Sequence, residues 1–161
     1  MSVVEEAMRG NADAYALVML LDWIANTWDD LVDHDVEVFD AEVNVMMWRC
    51  MSEIPRNPFY REHFADLQPL IEAAMLSWRM ATYVERCGEP SDLRWSYVIR
   101  SAYVDIVVAC ARIIGGDGYA VECGIRLHRW IHEDFDVYVA GLAVEAQKRK
   151  QAHGMGIERV E

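Results

Sequence analysis

Apolar residues recur at intervals of three and four along most of the chain, and no segment alternates apolar with polar residues long enough to form a half-buried strand. A helix with one apolar stripe can bury it only against another such stripe. The period therefore restricts the chain to an all-α fold, a single-domain helical bundle of about five to seven helices. With 53% hydrophobic residues, the chain has enough apolar surface to fold despite a net charge of -12. One core serves 161 residues. Residues 1–151 are expected to form a single helical domain, and residues 152–161 (AHGMGIERVE), polar and punctuated by glycine, a frayed tail.

Capping residues divide the chain. Ser2 with Glu5 reads as a capping box, Gly10 as the end of a short first helix, and Asn11 as the cap of a long helix reaching Asp33. A helix is expected over 40–53. Pro55, Asn57 and Pro58 mark a turn, with Asn57 capping a short helix that reaches Ala65. Pro69 opens a long helix that Gly88 ends, and Ser91 caps the next. A nearly all-apolar helix is expected over 92–114, stopped by Gly115-Gly116. A last helical region follows over 118–151, with possible bends at Gly124 and Gly141.

Several classes are excluded by composition. No apolar run approaches the roughly 18 residues that span a bilayer, since Asp22 interrupts the best candidate. Glu5 and Glu6 stand where a secretory signal would be basic, so a cytoplasmic protein with no membrane association is expected. The four cysteines form no CxxC pair and are expected as core thiols. The balance of 27 acidic against 15 basic residues argues against direct nucleic-acid binding.

On the long helix, Asp22, Asn26, Asp29 and Asp33 fall within roughly 60° of one another, with Leu17, Leu21, Ile24, Trp28 and Leu31 on the other side. Such a stripe is often just a solvated face. Here, however, Asp13, Asp22, Asp29, Asp30, Asp33, Asp35, Glu37, Asp40 and Glu42 occur between Gly10 and Trp48 without one Lys or Arg. Like charges one turn apart repel unless a cation compensates. Magnesium would do so: Asp29 and Asp33 could hold it together, with Asp30 beside them, leaving positions open for a diphosphate.

The string Asp29-Asp30-Leu31-Val32-Asp33 reads DDxxD and resembles the first aspartate-rich motif of class I isoprenoid and terpenoid synthases. The resemblance implies a core helix whose first and last acids, Asp29 and Asp33, ligate magnesium ions that grip a substrate diphosphate, with Asp30 in support. It also implies a second metal motif late in the chain, for which His132-Glu133-Asp134-Phe135-Asp136 is the candidate, contributing Glu133 and Asp136.

Other polar positions lie on apolar helices. Arg94, Ser101, Asp105 and Arg112 share a face of the expected 92–114 helix, and Asp105 is expected to be buried and paired with Arg112 or Arg100. In RLHRWIHEDFD, Arg126 or Arg129 could neutralise a leaving diphosphate. The turn spacing of His128, His132 and Asp136 could suit a transition metal, and an ordinary Arg129 to Glu133 surface pair is the plainer alternative. Glu72, Arg79, Tyr83 and Arg86 share a face that either extends the same cavity or is solvated. Trp48, Trp78, Trp95, Met46, Met47 and Met75 are expected in the core.

Three functions follow. The first is a magnesium-dependent enzyme, a transferase or lyase, acting on a small-molecule diphosphate. The second is a non-catalytic acidic protein that docks a basic protein partner. The third is an all-α nucleotide pyrophosphohydrolase, whose paired ExxE and ExxD motifs are not clearly present. A bundle this short could also need a second copy of itself to complete a cavity. An enzyme should turn its carboxylates inward upon a cavity, and a docking protein should spread them outward.

Overall fold

In the computed structural model the description covers residues 2–33, 36–132 and 134–157, and among them there is helix and no strand. The fold is all-α. Ser2 Oγ accepts from the Glu5 N–H (3.1 Å) to start α1, Val3–Ala7, and Arg9 and Gly10 stop it with φ of 47° and 76°. Asn11 Oδ1 accepts from the Ala14 N–H (2.9 Å) at the head of α2, Ala12–Asp33. After α3, Asp40–Trp48, the chain widens into a π-helical turn, Arg49–Glu53, and the one-turn α4, Ile54–Arg56.

Asn57 then does two things. Its Oδ1 accepts from the Tyr60 N–H (2.9 Å) to cap α5, Pro58–Glu62, and its Nδ2 donates to the Asp13 carbonyl (2.9 Å), tying that cap to α2.

Three expected boundaries are corrected. The helix α6, Phe64–Cys87, begins five residues before Pro69; a proline in the second turn removes only the bond to the Ala65 carbonyl, and the helix continues through it to Gly88. The single helix expected over 92–114 is two, α7, Leu93–Ile99, and α8, Tyr103–Ile131, separated by a turn at 100–102. The last region breaks before α9, Phe135–Ile157: Asp134 Oδ1 accepts from the Asp136 N–H (2.8 Å) and its carbonyl from the Tyr138 N–H (3.0 Å). His132 and Asp136 therefore do not lie one turn apart on one helix. The interruption expected at Gly115-Gly116 is present inside α8, where Gly116 has φ 80° and ψ 177°. Residues 152–157 continue α9, and 158–161 lie outside the described residues.

One core joins α1, α2, α5, α6 and α8 through Met8, Leu17, Val18, Phe59, Leu67, Val104, Val107, Cys110 and Leu127. The helix α6 packs on α7 and α8, α1 on α8, and α7 on α9. Two tyrosines lock helices together by donating to backbone carbonyls: Tyr103 to Val18 (2.8 Å) and Tyr119 to Glu6 (2.8 Å).

Other expectations fail on burial. Asp105 is exposed, because α8 turns Val104, Val107, Cys110 and Ala111 inward and Asp105 outward with Arg112. Arg112 lies 4.0 Å from Asp117, and Arg100 lies 3.7 Å from Glu85. Cys110 and Cys123 are core thiols, but Cys50 and Cys87 are exposed. Trp48 is 60% exposed, Met47 50%, Met75 48% and Trp95 42%, and no residue of α3 is buried. An apolar period marks the stripe a helix could bury, and says nothing of whether its own chain covers it. Among the described residues, no helix is long and apolar enough to cross a membrane.

Candidate functional site

Three of the four residues of the α2 polar stripe border a cavity. Asp22, Asn26 and Asp29 line a cavity of about 460 Å³ that α2 shares with the π-helical turn, α6, α7, α8 and the start of α9. Its apolar wall includes Leu21, Ile24, Ile71, Ala74 and Ile106, and Trp28, Trp78, Tyr97, Tyr103 and Tyr138 supply five aromatic side chains. Cys50 reaches the cavity from the π-helical turn, and burial pushes its thiol up from the ordinary value. π-turns recur where a helix re-aims side chains toward a site.

Each polar side chain has its own arrangement. Asp29 Oδ1 accepts from Trp78 Nε1 (2.8 Å), and the Trp78 ring lies against Trp28 with centroids 4.3 Å apart. Arg100 sits over the Tyr138 ring and beside Glu85. Glu85 also accepts from the Tyr138 hydroxyl (2.6 Å) and from Ser96 (3.3 Å), whose side chain is fully buried. Burial, and then the Glu85 bond, push the Tyr138 hydroxyl up to about 12. His132 Nδ1 donates to the His128 carbonyl (3.0 Å), and its Nε2 lies 3.0 Å from Ser101 Oγ, whose hydroxyl also reaches the Val98 carbonyl (2.9 Å).

Asp22 differs from all of these. Half-buried on the cavity wall, it forms no hydrogen bond or ion pair among the described residues. Desolvation raises its carboxyl above the ordinary carboxylate value, and burial, with the Asp22 charge second, raises the Tyr103 hydroxyl. Asp22 and Asn26 also border an open groove with Trp23, Arg49 and Glu53. There the Arg49 guanidinium lies 3.9 Å above the Trp23 ring and 3.9 Å from Glu53.

The expected site residues do not all gather here. Asp29 lines the cavity, whereas Asp30 is half-buried outside it. Asp33 is ion-paired with Arg86, which also donates to the Val32 carbonyl (2.9 Å). The cation that compensates the lower end of the stripe is thus an arginine from α6. Arg126 is exposed and bound to Glu6 of α1, and Arg129 is exposed; neither borders the cavity. Asp136 is exposed in the first turn of α9, and Glu133 lies outside the described residues. Glu72, Arg79 and Tyr83 are solvated on α6.

Sequence reasoning did not assign Trp78, Tyr97, Tyr103, Arg100, Tyr138 or the Glu85 and Ser96 network to the site. They come from α6, α7, the turn at 100–102, α8 and α9, and only the tertiary fold brings them to one place. Asp22 did carry a signal, as the charge that interrupts the apolar run from Ala14 to Ala25.

Compared with known proteins, the chain matches no family model, no curated protein and no solved structure.

Proposed function

We propose that this protein binds a small organic molecule in the cavity beside α2, with an apolar body held among the aromatic rings and a polar end at Asp22, Asn26 and Asp29. The observation that carries this is the direction of the acidic stripe: its upper carboxylates border an apolar, aromatic cavity. The volume falls within the roughly 300–1,000 Å³ of small-molecule pockets, and the composition, mostly apolar with a few convergent polar groups, is that of such pockets. An acidic protein docking a basic partner would instead gain from carboxylates spread on an exposed face.

Magnesium-dependent chemistry on a diphosphate is a second reading, favoured by Asp29 and Arg100 on one cavity. The described residues do not fit its metal site. Asp33 is taken up by Arg86, Asp29 by Trp78, and among the described residues no three His, Cys, Asp or Glu side chains gather where they could share an ion. Asp22 and Asp29 are two turns apart, about 10 Å along the helix, too far to ligate one magnesium ion.

The test is a titration with the neutral, apolar fluorophore N-phenyl-1-naphthylamine. Binding should be saturable, with energy transfer from tryptophan, and Ala74→Phe, which fills the cavity from α6, should weaken it at least tenfold while helical circular dichroism is kept. Probe binding that ignores Ala74→Phe would place the probe on the exposed apolar surface and overturn the proposal. A magnesium-dependent rise in melting temperature with inorganic diphosphate, lost in Asp29→Asn, would favour the second reading instead.

A further inference from the structure

The charges bordering the cavity do not cancel evenly. Arg100 is the one arginine among the described lining residues, and it has its own carboxylate in Glu85, 3.7 Å away. His132 is held by His128 and Ser101. Arg49, in the adjoining groove, is stacked on Trp23 and faces Glu53. Asp22 has no such partner among the described residues, although it stands on an apolar wall where a lone carboxylate is poorly solvated.

The walls decide what kind of cation would answer it. A small, hard ion keeps most of its waters and needs several oxygen ligands, which aromatic side chains do not supply. The Tyr103 and Tyr138 hydroxyls are bound to Val18 and Glu85, so these side chains offer the cavity chiefly their rings. Rings favour a large, weakly hydrated organic cation through their quadrupoles.

We propose, resting on the cavity as a small-molecule site, that its ligand class is an organic cation, an alkyl- or arylammonium whose charged nitrogen meets Asp22 while its apolar groups lie among Trp28, Trp78, Tyr97 and Tyr103. Asp22 is the anchoring residue, and Asp29, already bonded to Trp78, shapes the wall beside it.

The experiment uses the full chain and displacement of bound N-phenyl-1-naphthylamine by two probes of one shape, benzyltrimethylammonium and its uncharged carbon isostere neopentylbenzene. The cation should bind at least tenfold more tightly than the isostere. Asp22→Asn should reduce that preference to less than about twofold while neutral-probe binding is retained, and Asp117→Asn, a 90% exposed side chain outside the cavity, should leave it intact. Equal affinity of the two probes in the unaltered protein, with the fluorophore bound normally, would overturn the cation inference and leave the cavity proposal standing. Failure of the fluorophore itself to bind would overturn both. The first comparison uses no variant, so a folding defect in Asp22→Asn cannot obscure the result.

Discussion

Asp22 and Glu85 show two fates of a carboxylate near one cavity. Glu85 collects the Tyr138 hydroxyl, Ser96 and Arg100 and so joins α6, α7 and α9 through satisfied bonds. Asp22 collects none among the described residues, and burial raises its carboxyl above the ordinary value of 3.8. A raised carboxyl means that the folded state holds its proton more tightly than the unfolded one. The contribution of Asp22 to stability therefore falls as pH rises through the window above 3.8, and its cost is fully present at neutral pH. Asp22→Asn should make the ligand-free protein more stable at pH 7, by roughly 0.5 kcal/mol after allowance for solvent screening, or about 1–2 °C in Tm. That gain should vanish below the ordinary carboxylate value. Thermal melts of both proteins across that pH range check the sign, and a lower Tm for Asp22→Asn at pH 7 would assign Asp22 a structural bond.

Among the elements, the chain's local signals were legible wherever one residue settles its own backbone. Ser2, Asn11 and Asn57 cap as their side chains dictate, and Gly116 interrupts α8 because φ of 80° suits glycine. Asn57 is the most consequential of these, since it caps α5 and holds the Asp13 carbonyl of α2 as well. Asn57→Ala should cost about 1–2 kcal/mol, and Asn57→Asp, which keeps the cap but sets a carboxylate oxygen against the Asp13 carbonyl in place of the amide donor, should cost at least as much. Chemical denaturation of the three proteins orders them. The break between α8 and α9 was not legible, because RLHRWIHEDFD keeps helical spacing and the head of α9 is set by Asp134 accepting from the Asp136 N–H. The acidic stripe itself was legible as a helix face, but its partners were not: Arg86 on α6 answers Asp33, and Trp78 on α6 answers Asp29, across about fifty residues of chain.

At the scale of the molecule, the helical period foretold the all-α bundle but not which stripes would be covered. Trp48, Met51, Trp130 and Val137 are exposed, while Asp22 and Asp29 of the acidic stripe border the cavity. The net charge of -12 supplies a field that would draw cations toward such a cavity. Because apolar surface is also exposed, the decisive measurement must tell cavity from surface, and the six tryptophans do so. In a ¹H–¹⁵N spectrum each indole N–H reports its own position. Titration with N-phenyl-1-naphthylamine should shift the Trp28 and Trp78 indole signals saturably and together, with Trp78 moving most because its N–H is bonded to Asp29 on the cavity wall. The Trp48 and Trp130 signals, both from side chains 60% exposed, should stay in place. Shifts confined to Trp48 and Trp130, with Trp28 and Trp78 unmoved at saturation, would contradict the assignment of the cavity as the binding site.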